Sequence, residues 1–369
     1  MNESLLELWQ WMWQPLLVAG MTAVTTAPMV IAWYKRRGWL DDPATQKQAK
    51  VVHTYPVPRG GGWVIFIALV VGTLWFLGID KHSFGVLLGA SIIAVTGFFD
   101  DRYDLNPYLR LGLGFLAAGA VVAAGIGIAY ITNPLGQGVI HLNLPQIPFY
   151  LGGKLHTIWV LADALALLWI VWCMNMINWS KGLDGQLPGM VVIAAIVIGA
   201  LSLRFGDDVT QWSVIILAAI TAGAYLGFLP WNIYPQKMMP GYGGGALAGY
   251  LLAVLSILSG AKLATLILVL AVPMIDALYV MVRRLRRGRS PVWGDRSHFH
   301  HKLMELGWSK RKIAGFYWLM TLILGIVALQ LNTRQKAFTI LLMLLGFGAV
   351  LIWVNWFITS SNRPGRANG

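Results

Sequence analysis

The stretch GFFDDRYD, residues 97–104, ends an apolar run in Asp100 and Asp101, with Asp104 close behind. Adjacent carboxylates repel each other unless positive charge lies between or beside them. At a helix C-terminus they also meet the negative end of the peptide dipole. A bound cation resolves both problems. An oxygen-only pair of this sort suits Mg²⁺, which commonly completes its shell with substrate phosphates. Asp100 and Asp101 are therefore the candidate metal ligands. The simpler alternative is a solvated flank at a membrane boundary, with Arg102 as local counter-charge.

Four further clusters carry polar chemistry. In NMINWSKGLDG, residues 175–185, Asn175 and Asn178 are three apart and share one helix face, where amides can read a polar ligand or satisfy terminal carbonyls. GLDG then predicts a turn that presents Asp184. In MMPGYGGGALAG, residues 238–249, glycines run into a helix start, a place where backbone amides can approach a phosphate. No strand precedes it, so it is not a dinucleotide fingerprint. Gly245 and Gly249 are better read as a close-packing pair. Asp276 lies inside an apolar helix, and an ionisable residue there is a functional candidate by default. Asp163 is similar but sits toward the other side, as half of a structural pair. Finally, RRLRRGRSPVWGDRSHFHHKL places His298, His300 and His301 within four positions. No cysteine or nearby acid pair completes a zinc set, so hydrogen bonding to phosphate or charge stabilisation beside a metal is the better reading. The arginines Arg283, Arg284, Arg286, Arg287 and Arg289 suit anionic lipid or a diphosphate, although a topology signal alone explains most of them.

The elements that hold these clusters are membrane helices. Of 369 residues 57% are hydrophobic and only 12% charged, against about a quarter charged in soluble proteins. Apolar runs near the length needed to cross a bilayer, about 20 residues, recur throughout, without the period-two alternation of a β-barrel. The expected fold is an all-α polytopic membrane protein forming a single domain. Eleven spans are predicted, near 14–34, 62–79, 83–99, 109–131, 157–178, 187–204, 211–229, 243–260, 262–282, 313–332 and 337–359. The first lacks a basic start and a cleavage site and is read as a retained helix. Cys173, the single cysteine, makes no internal disulfide. With the N-terminus outside and the C-terminus cytoplasmic, 22 of the 28 Lys and Arg face the cytoplasm, as the positive-inside rule requires. All the polar clusters then share that face, including a basic and histidine-bearing loop at 283–312. The net charge of +13 needs no nucleic acid to explain it.

These residues resemble the polyprenyl-phosphate N-acetylhexosamine-1-phosphate transferases of the glycosyltransferase family 4 type, and among them the bacterial undecaprenyl-phosphate N-acetylglucosamine-1-phosphate transferases. The matching stretches are HTYPVPRGGG (53–62), GFFDDRYDL (97–105), NMINWSKGLDG (175–185), YPQKMMPGYGGGALAGYLLA (234–253) and VPMIDALYVMVRRLRRGRSPVWGDRSHFHHKLMELGWSKRK (272–312). The resemblance implies attack of a polyprenyl phosphate on the β-phosphorus of a UDP-amino sugar, with release of UMP, at the cytoplasmic face of a bacterial inner membrane. It implies Mg²⁺ on Asp100 and Asp101, and catalytic roles for those two with Asp184, His298, His300 and His301. Asn175, Asn178, Lys181, Arg110, Tyr242, Asp276, Arg296 and Arg59 are the matching substrate-binding candidates. The bilayer is the other expected partner, and dimerisation, common in the family, adds a homodimer.

The match breaks at two places. Lys181 stands where the family pattern has an acid, and Tyr242 stands where its glycine loop carries a magnesium-binding Asp. A weaker change gives Arg110 for the usual Lys and Gly114 for a common Gln. Two carboxylates are lost and an ammonium is gained. Either Lys181 takes over part of the metal's role in a metal-weak transferase, or the chain is a non-catalytic relative that binds polyprenyl phosphate or nucleotide-sugar. A lipid or solute carrier is the third alternative, and the one-sided clustering argues against it.

Overall fold

A computed structural model describes residues 3–44, 54–134, 136–204, 210–260, 262–291 and 297–361. Its helices are α1 (Glu3–Arg37), α2 (Gly61–Phe76), α3 (Lys81–Tyr103), α4 (Pro107–Ala123), α5 (Val160–Trp179), α6 (Gln186–Leu203), α7 (Thr210–Asn232), α8 (Gly241–Leu258), α9 (Leu263–Val269), α10 (Ala271–Arg286), α11 (Phe299–Glu305), α12 (Lys310–Gln330) and α13 (Thr333–Ser361). Among the described residues eight helices are long and apolar enough to cross a membrane; α9 and α10 form a ninth, bent by 86°, and α2 and α4 are shorter apolar helices. The chain is a multi-pass, all-α membrane protein, and each predicted span has a helix or bent pair under it.

Three details differ from the sequence expectation. The span predicted over 109–131 stops at Ala123, because Gly125 takes a left-handed conformation (φ +89°) just past the helix end. The helix predicted from 157 starts at Val160. Between them lie two antiparallel ribbons, β1 (Tyr130–Thr132) with β2 (Val139–His141) and β3 (Gln146–Leu151) with β4 (Lys154–Trp159). The span predicted over 262–282 is broken at Leu270, three residues ahead of Pro273, which cannot donate an internal helix hydrogen bond.

Helix α8 is the axis of the bundle. Every residue from Gly241 to Ile257 is buried, the signature of a helix apolar all round. It packs on α2, α3 and α5. The approach to α2 and α3 is backbone to backbone: a Cβ added at Gly97 would lie 2.4 Å from the Cα of Gly243, and one at Gly62 would lie 3.0 Å from the same atom. A Cβ at Gly249 would lie 2.1 Å from the carbonyl oxygen of Cys173 on α5, so the glycine spacing in α8 is packing, as its sequence predicts. Buried hydroxyls in this core are satisfied internally. Tyr225 donates to the Gly244 carbonyl at 2.7 Å and Tyr250 to the Val86 carbonyl at 2.9 Å.

The chain between α3 and α4 shows how the opening motif is cut. Asp104 caps α3 in the left-handed region (φ 49°). Asn106 then accepts the Tyr108 N–H at 2.9 Å as N-cap of α4, with Pro107 at the first helical position. Asp104 is thus a turn residue, and Asp100 and Asp101 remain in the last turn of α3. At the other end of α3, Asp80 and Ser83 form a reciprocal capping box, and the Ser83 N–H holds the Asp80 carboxyl below the usual carboxylate range.

Candidate active site

The ends of α3, α5 and α10 and the starts of α4, α6, α8 and α12 meet at one end of the bundle. The aspartate pair is neutralised there from within the chain. Both oxygens of Asp100 accept from the Arg110 guanidinium, at 2.9 and 3.0 Å, across the α3–α4 turn. Both oxygens of Asp101 accept the backbone N–H of Tyr242, at 2.9 and 3.1 Å. Asp101 therefore lies on the positive end of α8. Only glycine fits just before it: Gly241 has φ +66°, and a Cβ there would lie 2.1 Å from an Asp101 oxygen. The anion cradled by the glycine loop is the protein's own carboxylate.

Lys181 reaches the same spot from the 180–185 loop. Its ammonium lies 5.7 Å from the centroid of the Tyr242 ring, and Arg110 lies 5.3 Å from that ring. Burial lowers the Lys181 ammonium from its ordinary value, while Asp101 and Asp100 pull it back up. The stem of Lys181 and the side chain of Asn178 pack against Gly245 of α8. Among the described residues the Asn178 Oδ1 atom is buried without a hydrogen-bond partner, whereas Asn175 turns its amide back to the Val171 carbonyl at 2.8 Å. The two amides thus diverge in use despite their shared face.

The same loop carries the histidine motif on its next residue. A Cβ at Gly182 would lie 2.4 Å from His300 Nε2. His300 stacks on His298 at 5.9 Å with rings 2° apart, and its ring lies 4.3 Å from that of His301, tilted by 43°. Asp276 fixes this array: its carboxylate pairs with His298 Nδ1 at 2.9 Å and accepts the Phe299 N–H at 2.9 Å. With the Nδ1 proton held there, Nε2 is the ring nitrogen left for a ligand. Asp276 is thereby a positioning group for the histidines. Asp184 is buried, 3.5 Å from the Lys310 ammonium, and accepts the Gln236 N–H at 3.4 Å. Arg59 is tied to Asp41 by two hydrogen bonds to the same oxygen. Arg296 lies outside the described residues.

Asp163, at the opposite end, accepts the Trp159 N–H at 3.0 Å; among the described residues its partner is the α5 N-terminus and not a second charge. Of the predicted basic cluster, Arg284 is buried and donates to the Pro291 carbonyl at 2.8 Å, while Arg286, Arg287 and Arg289 are exposed. Sequence reasoning missed Lys310, Asp41 and a cleft beside Asp101 walled by Tyr34, Trp39, Asp41, Arg59, Phe98 and Arg102. The only signal for Lys310 was its place in the helix-start cluster WSKRK.

The donor set does not match a magnesium site. Asp100 and Asp101 spend their oxygens on Arg110 and on the α8 N-terminus, and a fixed ammonium stands beside them. Among the described residues no three His, Cys, Asp or Glu gather as metal ligands. Mg²⁺ needs a near-octahedral shell of oxygens, which guanidinium and ammonium groups oppose.

His300 sets a pH dependence. Burial, then the neighbouring His301 and His298, hold its pKa well below the usual value. The unfolded chain takes up this proton near pH 6.5, and the folded protein takes it up only at lower pH. Stability is therefore full above about 6.5 and falls as pH drops toward the folded pKa, by about 1.4 kcal/mol per pH unit. Thermal unfolding in detergent at pH 7.5 and 5.5 should show this loss, and His300→Asn should flatten it. An equally steep loss in that variant would assign the effect to another group.

Comparison with known proteins places the chain among membrane transferases. Residues 83–260 match the profile of glycosyl transferase family 4. The chain is 29% identical over 358 residues to a Bacillus subtilis protein named "Probable undecaprenyl-phosphate N-acetylglucosaminyl 1-phosphate transferase", covering 94% of this chain and 93% of that one. It is 31% identical over 307 residues to the decaprenyl-phosphate N-acetylglucosaminephosphotransferase of Mycobacterium leprae, covering 75% and 73%. It is 29% identical over 341 residues to the phospho-N-acetylmuramoyl-pentapeptide-transferase of Chlamydia pneumoniae, covering 85% and 94%.

Proposed function

Because the chain belongs to glycosyl transferase family 4, we propose that it transfers a sugar-1-phosphate, of the N-acetylhexosamine class, from a UDP-sugar to polyprenyl phosphate. An oxygen of the lipid phosphate attacks the β-phosphorus, a new P–O bond forms, the bond to the bridging oxygen breaks, and UMP leaves. The phosphate monoester has its second pKa near about 6, so the nucleophile is already largely ionised at neutral pH. The protein's work is to bring two anions together and spread their charge.

The observation that carries this reading is the 180–185 loop. Through Lys181 it meets the aspartate pair and Arg110, and through Gly182 it meets the Asp276-anchored histidines. Cations and imidazoles, the groups that phosphoryl transfer requires, converge on one short segment between two helix ends. When doubly protonated, His298 donates its Nε2–H to a phosphate oxygen while Asp276 holds Nδ1–H, and Lys181 supplies charge. The excess of basic residues at this end supports a cytoplasmic face in a bacterial inner membrane.

The test uses purified protein with undecaprenyl phosphate and UDP-N-acetylglucosamine labelled in the β-phosphate. The expected result is label in the organic phase with equimolar UMP. Binding of both substrates without UMP under any metal condition would instead identify a non-catalytic relative, the reading that Lys181 and Tyr242 favour.

A further inference from the structure

We infer that Lys181 is a built-in phosphate-binding cation, and that this site engages its phosphate ester through Lys181 without a divalent ion. The inference rests on the transferase reading for the identity of the ligand, but its geometry stands apart from turnover. The cations neighbouring Lys181 are spent: Arg110 is committed to Asp100 and Arg59 to Asp41, while Asp101 accepts the α8 amide and its charge also acts on Lys181. Among the described residues Lys181 makes no direct ion pair; its ammonium stands over the Tyr242 ring at 5.7 Å. A cation held in a part-buried site without a direct anion is costly unless a ligand completes it. Its stem is locked against Gly245, so it cannot swing out to bulk water without leaving the α8 packing.

The local chemistry agrees on what that ligand is. A phosphate oxygen accepts charge-assisted hydrogen bonds from an ammonium and from a neutral imidazole N–H. Lys181 offers the first, and the loop that carries it touches His300 at the adjacent Gly182. Tyr242 covers the floor where a carboxylate would repel the same oxygen. Lys181 and Tyr242, which stand where the resembled family pattern has acids, act together: neither is a ligand for a metal, and the ammonium brings the charge that a metal would supply. The phosphate can belong to the nucleotide-sugar or to the polyprenyl phosphate, since both present the same oxygens.

The test measures binding and metal affinity separately from turnover. Full-length protein in nanodiscs is titrated with UDP-N-acetylglucosamine in one arm and with undecaprenyl phosphate in the other, in EDTA and in Mg²⁺. Wild type should bind with affinities within about twofold between the two conditions. Lys181→Met should weaken at least one arm by about tenfold or more, the worth of one charge-assisted hydrogen bond, and Lys181→Arg should restore much of it. The arm that weakens names the phosphate. Mn²⁺ titration followed by electron paramagnetic resonance should show no stoichiometric site in wild type. Equal affinity of Lys181→Met in both arms, or a stoichiometric Mn²⁺ that Asp101→Asn releases, overturns the inference. Label transfer that requires Mg²⁺ would defeat it while leaving the transferase intact. Metal-free, Lys181-dependent binding with no UMP would leave it standing while the transferase reading falls.

Discussion

Asp276→Ala should cost the protein about 3–5 kcal/mol and slow sugar-phosphate transfer on the order of 10²-fold. The carboxylate is 4% exposed, and each oxygen has its own task, one on His298 Nδ1 and one on the Phe299 N–H. Alanine leaves both donors buried and unpaired, and removing one partner from a buried pair is where costs of about that size arise. The functional loss has a separate cause. His298 is held in one tautomer by this contact, and His300 stacks parallel on His298. Without the anchor the array loses its register against Gly182, and the hydrogen bonds it would give a phosphate are lost, on the order of 10²-fold in rate. Asp276→Asn separates the two effects: its amide oxygen still accepts the Phe299 N–H, so the melting temperature should fall between those of wild type and alanine. The amide cannot stabilise a charged imidazole, so transfer should fall almost as far as in alanine. Thermal unfolding and label transfer on the three proteins check this. An alanine variant that melts with wild type would show that His298 and Phe299 are satisfied by another route.

Why part of this site is readable from sequence follows from the range of each interaction. The cut at DLNP is local grammar, since a left-handed cap, an Asn N-cap and a first-turn proline lie within four residues. The eleven apolar segments and the histidine triplet are local as well. The partners of the aspartates are not. Arg110 reaches Asp100 only because the short turn folds α4 back beside α3, and the amide that holds Asp101 comes from 141 residues away. Glycines at 241–245 announce a close approach but not what approaches, and in this protein it is a carboxylate. The resemblance located Lys181 and Tyr242 as departures from the family pattern; that they stack on each other beside the pair required the fold. The ribbons at 130–159 went unread because their Asn, Pro and Gly residues read as a loop between two spans, with only their first two and last three positions drawn into those spans. The glycines at 125 and 127 were the available signal, and only the first takes the left-handed conformation that stops the helix.

A structural effect of comparable size is expected at a residue with no functional group. Gly97 and Asp101 are one helical turn apart and share a face of α3. At Gly97 that face meets backbone: an added Cβ would lie 2.4 Å from Gly243 Cα and 2.5 Å from Gly243 N. Gly243 follows Tyr242, whose amide holds Asp101. Any side chain at position 97 therefore pries α3 from α8 one turn from the aspartate anchor. Gly62 of α2 meets the same Gly243 Cα, so α8 is packed against backbone on two helices at this point. Gly97→Leu should cost about 3 kcal/mol or more, the upper end of over-packing penalties, because backbone cannot change rotamer to relieve the contact. Gly97→Ala should show the same defect in smaller measure. Gly112→Leu is the control: it lies in the middle of α4, where an added Cβ meets nothing within 4 Å, and it should melt with wild type. Binding of UDP-N-acetylglucosamine should follow the same order, because the loss acts through the distance between Asp101 and the start of α8. If Gly97→Leu melts and binds like Gly112→Leu, then α3 and α8 do not cross at these glycines, and the Asp101 anchor must lie elsewhere.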